Sequence, residues 1–309
     1  MGGFIVSNRR TFLKQSALGG GALALGFFPQ DLLASEDFVK LTVMHTNDIH
    51  CHIDPFPADH AEFPGKGGLV RIASIIKQNR KENPNLLLLD GGDMFQGTPY
   101  FNYFKGDLIA KLMSQIGYDA GTVGNHEFDN GLGDILSATK CADFPLVSSN
   151  YDFSDTILAG HVKTHHIIKK AGLKIGIYGL GVELYGLVGK ANYDKTRYLD
   201  PLATALKMEQ LLKKEHSCDL VVCLSHLGYS FANGQISDMT LAPQTKYTDL
   251  IVGGHTHTFL EKPSVLKNAD GKTILVNQSG WAGLSVGKIE FVFDRTRKSK
   301  DPIVVVNSL

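Results

Sequence analysis

Five short segments concentrate the residue types that bind metals or move protons. They are Thr46-Asn47-Asp48-Ile49-His50, Leu89-Asp90-Gly91-Gly92-Asp93, Gly124-Asn125-His126-Glu127-Phe128-Asp129, Leu224-Ser225-His226-Leu227-Gly228 and Val252-Gly253-Gly254-His255-Thr256-His257. Asp48 and His50 stand at i and i+2, a spacing that turns both toward one side of an extended chain. Two glycines allow a tight turn with Asp93 at its apex. In the third segment Asn125 and His126, two neutral donors, lie beside the carboxylates Glu127 and Asp129. The fifth, with two imidazoles after paired glycines, is the most specific. Each segment alone has a plainer reading: a solvated loop for Asp48 and His50, a helix-capping aspartate for Asp93, a satisfied structural histidine for His226. Together they form a donor set of imidazoles, carboxylates and an amide oxygen with no obligatory thiolate, which suits Zn²⁺, Mn²⁺ or Fe. Six or seven ligands are too many for one tetrahedral ion. Two divalent ions sharing one carboxylate fit the count, with Asp93 the natural bridge.

Each segment directly follows a strand-like run, at 39–45, 86–90, 120–123, 220–224 and 249–252. Further strands are expected at 173–179, 273–276, 284–293 and 303–306, and helices at 68–83 and 201–216. The first helix places Leu69, Ile72, Ala73 and Ile76 at i, i+3, i+4 and i+7 and stops before Pro84. The second opens on Pro201 and puts Leu202, Ala205, Met208 and Leu212 on one stripe. Alternating strands and helices predict an α/β fold, and the lack of long helices after about residue 248 predicts a sheet that becomes mixed there. In such sheets ligands gather at the carboxyl ends of strands, so the five segments should converge.

The chain has 309 residues, with 31 basic side chains cancelling 31 acidic ones. No polyanion-binding field results, which excludes a nucleic acid polymer as the main partner. Cys51, Cys141, Cys218 and Cys223 lack paired C-x-x-C spacing and make no disulfide framework. At the N-terminus, Asn8-Arg9-Arg10-Thr11-Phe12-Leu13-Lys14 precedes a Gly- and Ala-rich apolar stretch over 16–28. That pattern reads as a twin-arginine export signal over residues 1–34, cleaved after Ala34, and points to a periplasmic or secreted protein. The stretch is shorter than the roughly 20 residues of a spanning helix, so no stable membrane anchor is expected. The three glycines at 19–21 weaken the alternative of a buried amphipathic helix. Residues 38–309 are expected to form one catalytic domain.

The series formed by Asp48/His50, Gly91-Gly92-Asp93, the Gly124–Asp129 run, Ser225-His226-Leu227-Gly228 and Gly254-His255-Thr256-His257 resembles the calcineurin-like metallophosphatases. Within them it is most similar to the catalytic domain of the 5'-nucleotidase and UDP-sugar hydrolase family, including Phe95-Gln96-Gly97-Thr98-Pro99. The resemblance implies a four-layer α/β/β/α sandwich of two mixed sheets flanked by helices. It also implies that Asp48, His50, Asp93 and His257 hold one metal, and that Asp93, Asn125, His226 and His255 hold the other. Some family members have Gln at the place of His257, so the identity of the first metal does not carry over. His126 would face the phosphate and stabilise the transition state or leaving oxygen, with Asp129 orienting its ring. Two cations about 3.5–4 Å apart would lower the pKa of a bridging water for in-line attack on phosphorus. Cys51 is expected to be a packed bystander, and His45 a core residue or a neighbour of the ligands. The other histidines, 52, 60, 161, 165, 166 and 216, are expected in exposed loop, strand or helix-end positions.

The implied activity is a metal-dependent phosphohydrolase of 5'-nucleotidase type acting on a small phosphoester or nucleotide. The alternatives are a 2',3'-cyclic nucleotide or other phosphodiesterase and, from a different class, a non-catalytic metal-dependent binding partner. Two-domain family members add a C-terminal domain that grips the base. A separate polypeptide resembling that domain is the partner expected beside the metal loops.

Overall fold

The computed structural model describes residues 38–295 together with two short strands, β1 (Leu23–Ala24) and β15 (Ile303–Val306). Apart from β1, the expected export signal lies outside the described residues. The remaining strands in chain order are β2 (Phe38–Thr46), β3 (Leu86–Asp90), β4 (Ala120–Thr122), β5 (Leu146–Val147), β6 (Tyr151–Asp152), β7 (His165–Lys170) and β8 (Leu173–Gly181). They continue with β9 (Arg197–Tyr198), β10 (Leu220–His226), β11 (Leu250–Gly253), β12 (Ser264–Lys267), β13 (Thr273–Asn277) and β14 (Gly287–Asp294). One sheet has the order β1-β15-β14-β2-β3-β4-β5, the second β12-β13-β11-β10-β8-β7, and β6 pairs separately with β9.

Period-two patterning assembles the layers. Val39, Leu41 and Val43 of β2, Leu87 and Leu89 of β3, and Ile289 and Phe291 of β14 point inward from the first sheet. They meet Ile175 and Ile177 of β8, Leu220, Val222 and Leu224 of β10, and Leu250 and Val252 of β11. The alternate residues point outward. Met44, Leu86 and Leu88 pack under helices α1 (Leu69–Glu82), α2 (Asp107–Ile116) and α3 (Leu132–Cys141). Tyr178, Val221, Cys223 and Ile251 pack under α4 (Pro201–Gln210). Both faces of each sheet are thus covered, the α/β/β/α arrangement, with each fully buried aliphatic side chain contributing about 1.5–3 kcal/mol.

Local signals set the helix ends. The Asp200 side chain accepts from Ala203 N at 2.7 Å ahead of Pro201. Arg80 in the last turn of α1 donates to the carbonyls of Ile116 and Gly117, so one helix caps the C-terminus of another. The expected helix over 201–216 is α-helical only to Gln210 and closes in a wider turn, Leu211–Glu215. The expected strands at 249–252 and 284–293 begin later, at Leu250 and Gly287, and β10 runs on to His226. The mixed character after residue 248 appears as β11 parallel to β13, β12 antiparallel to β13, and β14 antiparallel to β2 in the other sheet.

His45 is a core residue, fully buried, with Asn277 Nδ2 at 3.0 Å from its Nε2. Burial pushes it down to about 4, the neutral form. Gly287 makes room for this ring, because a Cβ there would lie 2.0 Å from His45 Nε2.

Candidate metal centre

Strands β2, β3 and β4 run parallel in one sheet, and β10 and β11 run parallel in the other. Their carboxyl ends share one edge of the sandwich, where all five chemistry-bearing segments meet. The loops interlock closely. Gly124 sits where any side chain would strike Asp93, a Cβ there falling 2.2 Å from Asp93 Oδ1. Asp48, His50, Asp93, His255 and His257 all have left-handed backbone, with φ of 51°, 49°, 55°, 73° and 51°. Outside glycine, Asp, Asn and His tolerate that region best, and such conformations concentrate where surrounding contacts hold them for function.

Two groups of donors result. Asp48, His50 and His257 bring one ligand atom each within 4.8 Å of one another, and so do Asp93, His226 and His255. In the first group His257 Nε2 lies 3.3 Å from Asp48 Oδ1 and 3.1 Å from His50 Nε2. In the second, His226 Nε2 lies 2.9 Å from Asp93 Oδ2, and Asn125 Oδ1 is 2.9 Å from His255 Nδ1. His226 Nε2 also comes within 3.9 Å of Asp48 Oδ1, so the two groups abut.

The donors fit divalent cations on their own chemistry. His50 Nδ1 is 3.1 Å from the Phe95 carbonyl and His226 Nδ1 is 2.8 Å from that of Gly91. A carbonyl only accepts, so each Nδ1 carries the proton and each Nε2 lone pair turns into the site. Fully buried His226 Nε2 has Asp93 Oδ2 at 2.9 Å but no well-directed hydrogen bond, and a cation between the two atoms would satisfy both. Burial lowers His50, and it lowers His255 to about 4, which keeps both imidazoles in the ligand form. Burial acts against charge on Asp93 and His226 as well, yet their close pairing dominates, holding Asp93 below the carboxylate range and raising His226 to about 10. A bound cation takes the place of that imidazolium proton.

His126 and Asp129 stand beside the donor groups. The His126 ring packs 5.2 Å from that of His50, and its Nδ1 lies 2.8 Å from Asp129 Oδ2. This hydrogen bond raises His126 to about 9 against the opposing effect of burial. Its side chain is 34% exposed, so the ring is partly open to an incoming molecule. Cys51 is buried, and burial pushes its thiol up to about 12, leaving an unreactive side chain.

Several residues brace the loops, a role that the motif segments do not disclose even where the residue lies within one. Glu127, fully buried, accepts from the backbone N–H groups of Asp93 at 3.0 Å, Met94 at 2.8 Å, Phe95 at 3.1 Å and Gly124 at 2.6 Å. It ties the second loop to the third. Glu127→Ala leaves four donors without this acceptor, and a loss of about 3–5 kcal/mol is expected in a denaturant melt. Asn47 donates to Asp48 Oδ2 and to the Gly280 carbonyl, both at 2.6 Å, and accepts from Ser279 N at 2.8 Å. Gln278 donates to the Gly254 carbonyl at 2.5 Å and accepts from Thr256 Oγ1 at 3.0 Å. The segment after β13 is thus a sixth loop that braces the others. His52, expected in an exposed position, instead packs 4.8 Å from Phe56 and 5.5 Å from Trp281.

Residues 41–259 match the family model for calcineurin-like phosphoesterases. The chain is 31% identical over 277 residues to a snake venom 5'-nucleotidase from Gloydius brevicauda, covering 82% of this chain and 45% of that protein. A solved 5'-nucleotidase precursor from Thermus thermophilus superposes with a TM-score of 0.75 at 32% identity, over 87% of this chain and 55% of that one. The calcineurin-like phosphoesterase YfkN of Bacillus subtilis gives 0.70 at 25% identity, over 88% and 91%. The chain spans about half the length of the curated 5'-nucleotidases it matches. With its mixed-sheet sandwich and two abutting donor groups, it belongs to the calcineurin-like phosphoesterase family.

Proposed function

We propose that this chain is a dinuclear metal phosphohydrolase of 5'-nucleotidase type, removing phosphate from nucleoside monophosphates and related small monoesters. The observation that carries the reading is the pair of abutting donor groups with a hydrogen-bonded His126–Asp129 pair at their side. Asp48, His50, Asp93 and His257 would hold one ion, and Asp93, Asn125, His226 and His255 the other. Asp93, whose Oδ2 faces His226 and whose Oδ1 accepts from His126 N at 2.9 Å, is the carboxylate we assign to both ions. When bound, the two ions supply charge neutralisation for the phosphoryl oxygens and acidify water. The chain's own acid is His126. Its Nδ1 is engaged by Asp129, so Nε2 delivers the proton to the leaving oxygen as the ester P–O bond breaks and the bond from phosphorus to water oxygen forms. Elemental analysis joined to a phosphate-release screen on the purified chain tests the proposal. Two transition-metal ions per chain and release from nucleoside monophosphates are expected; a metal-free, inactive protein would overturn it.

A second reading, phosphodiester cleavage, draws support from a 31% identical relative named trifunctional nucleotide phosphoesterase protein YfkN. Comparing rates on mono- and diesters separates the two.

Export by the twin-arginine route is part of the same proposal, supported by Arg9 and Arg10 ahead of the apolar stretch. No helix among the described residues is long and apolar enough to cross a membrane. Changing both arginines to Lys should trap the chain in the cytoplasm; unchanged export would refute this route. For base selectivity we infer a separate polypeptide docking beside the metal loops. The exposed side chains of Tyr103, Phe104, Tyr185 and Leu187, on the segments after β3 and β8, are the chain's own alternative source of a base pocket. A strong preference for one nucleoside monophosphate in the purified chain would remove the need for that partner.

A further inference from the structure

Two imidazoles of the donor groups commit Nδ1 to a backbone carbonyl outside the donor set, His50 to Phe95 and His226 to Gly91, while His255 Nδ1 faces a fellow donor, Asn125 Oδ1, at 2.9 Å. Metal-binding histidines generally need such a partner to fix ring orientation. His257 differs. Its Nε2 faces Asp48 and His50, but among the described residues none hydrogen-bonds its Nδ1, and its side chain is 39% exposed. What holds the ring is Trp281, the only tryptophan in the chain, stacked on it at 5.5 Å with the planes 8° apart.

Trp281 is itself well anchored. Phe56 packs against it at 5.7 Å and 69°, and His52 at 5.5 Å and 89°. Its neighbours in sequence grip the loop of Asp48: Gly280 O accepts from Asn47 Nδ2, and Ala282 N donates to Asp48 O at 2.7 Å. The indole plane and the Asp48 backbone are therefore parts of one braced unit. An indole face carries negative quadrupole charge, so it attracts an imidazole most strongly when a cation polarises that ring.

We propose that Trp281 is a positioning residue for the Asp48/His50/His257 metal site, replacing with a stacked ring the carbonyl hydrogen bond that orients His50 and His226. This rests on the metal assignment proposed above. It predicts that filling this site changes the emission of Trp281, and that losing the ring weakens one metal site while sparing the other.

The test uses protein stripped with a chelator and titrated with Mn²⁺ or Zn²⁺, following tryptophan emission and metal content together. In the wild-type chain, emission should shift as one of two ions binds. Two ions bound with emission unchanged would overturn the role of Trp281; failure to bind two ions would overturn the metal assignment instead. Trp281→Leu should weaken one site about 10–100-fold and leave the other unchanged, with Trp281→Phe restoring most of the affinity. Equal loss at both sites, or no loss at either, would sink the proposal. If the Leu variant does not fold, the wild-type emission and the Phe variant still decide.

Discussion

His126→Asn is expected to keep both metal ions bound while kcat falls about 10²–10⁴-fold, the range for a lost general acid. The variant separates binding from chemistry because the ring belongs to neither donor group, whereas its backbone does structural work. His126 N donates to Asp93 Oδ1 at 2.9 Å, and that bond survives the change of side chain. The Nδ1 hydrogen bond to Asp129 raises the imidazole's proton affinity, opposing the repulsion that two nearby cations exert on an imidazolium. Asparagine can still donate a hydrogen bond but cannot hand over a proton. Such a loss amounts to about 3–5 kcal/mol of transition-state stabilisation, with KM nearly unchanged. Steady-state kinetics and metal analysis on one preparation check this. Wild-type turnover with full metal content would take His126 out of the mechanism.

Side chains that act on a ligand and side chains that brace a loop also differ in how legible they are from sequence. Ligand candidates advertise themselves, since Asp48 with His50 and His255 with His257 are unusual types at unusual spacing directly after strands. The strands beneath them are equally plain, because Val39, Leu41 and Val43, or Leu220, Val222 and Leu224, alternate with the residues that face the helices. Helix α1 is also legible, since the expected stripe of Leu69, Ile72 and Ile76 forms its buried face. Helix α2 is not among the helices expected from sequence, although Gly117, with φ 86°, supplies the left-handed cap that ends it. The braces are another matter. Glu127 acts by accepting from N–H groups more than thirty residues upstream, and any side chain's partners at that separation depend on how the loops close. Gln278 and Trp281 likewise follow an ordinary strand, β13, with nothing local to mark them. Their roles arise only when the ends of two sheets meet, so no one-dimensional pattern encodes them.

Asp93→Ala should fail in a different way from His126→Asn, through loss of the ions themselves. Metal content is expected to fall from two ions to fewer than one per chain, and turnover by more than about 10³-fold, since both sites depend on this carboxylate. The fully buried Asp93 side chain sets Oδ2 2.9 Å from His226 Nε2, while Oδ1 accepts the His126 backbone N–H. Alanine removes both contacts and places a residue with no polar side chain at φ 55°, which costs about 1 kcal/mol in the left-handed region. A control is therefore needed to separate the lost ligand from the disturbed turn. Asp93→Asn keeps the volume and tolerates the backbone, but it offers one neutral oxygen where the wild type offers two anionic ones. If Asp93 bridges, Asn should lose at least one ion while its thermal stability in the metal-free form stays close to that of the wild type. Two tightly held ions in the Asn variant would place the bridge elsewhere, with Asp48, whose Oδ1 lies 3.8 Å from His50 Nε2 and 3.9 Å from His226 Nε2, the next carboxylate in reach of both groups.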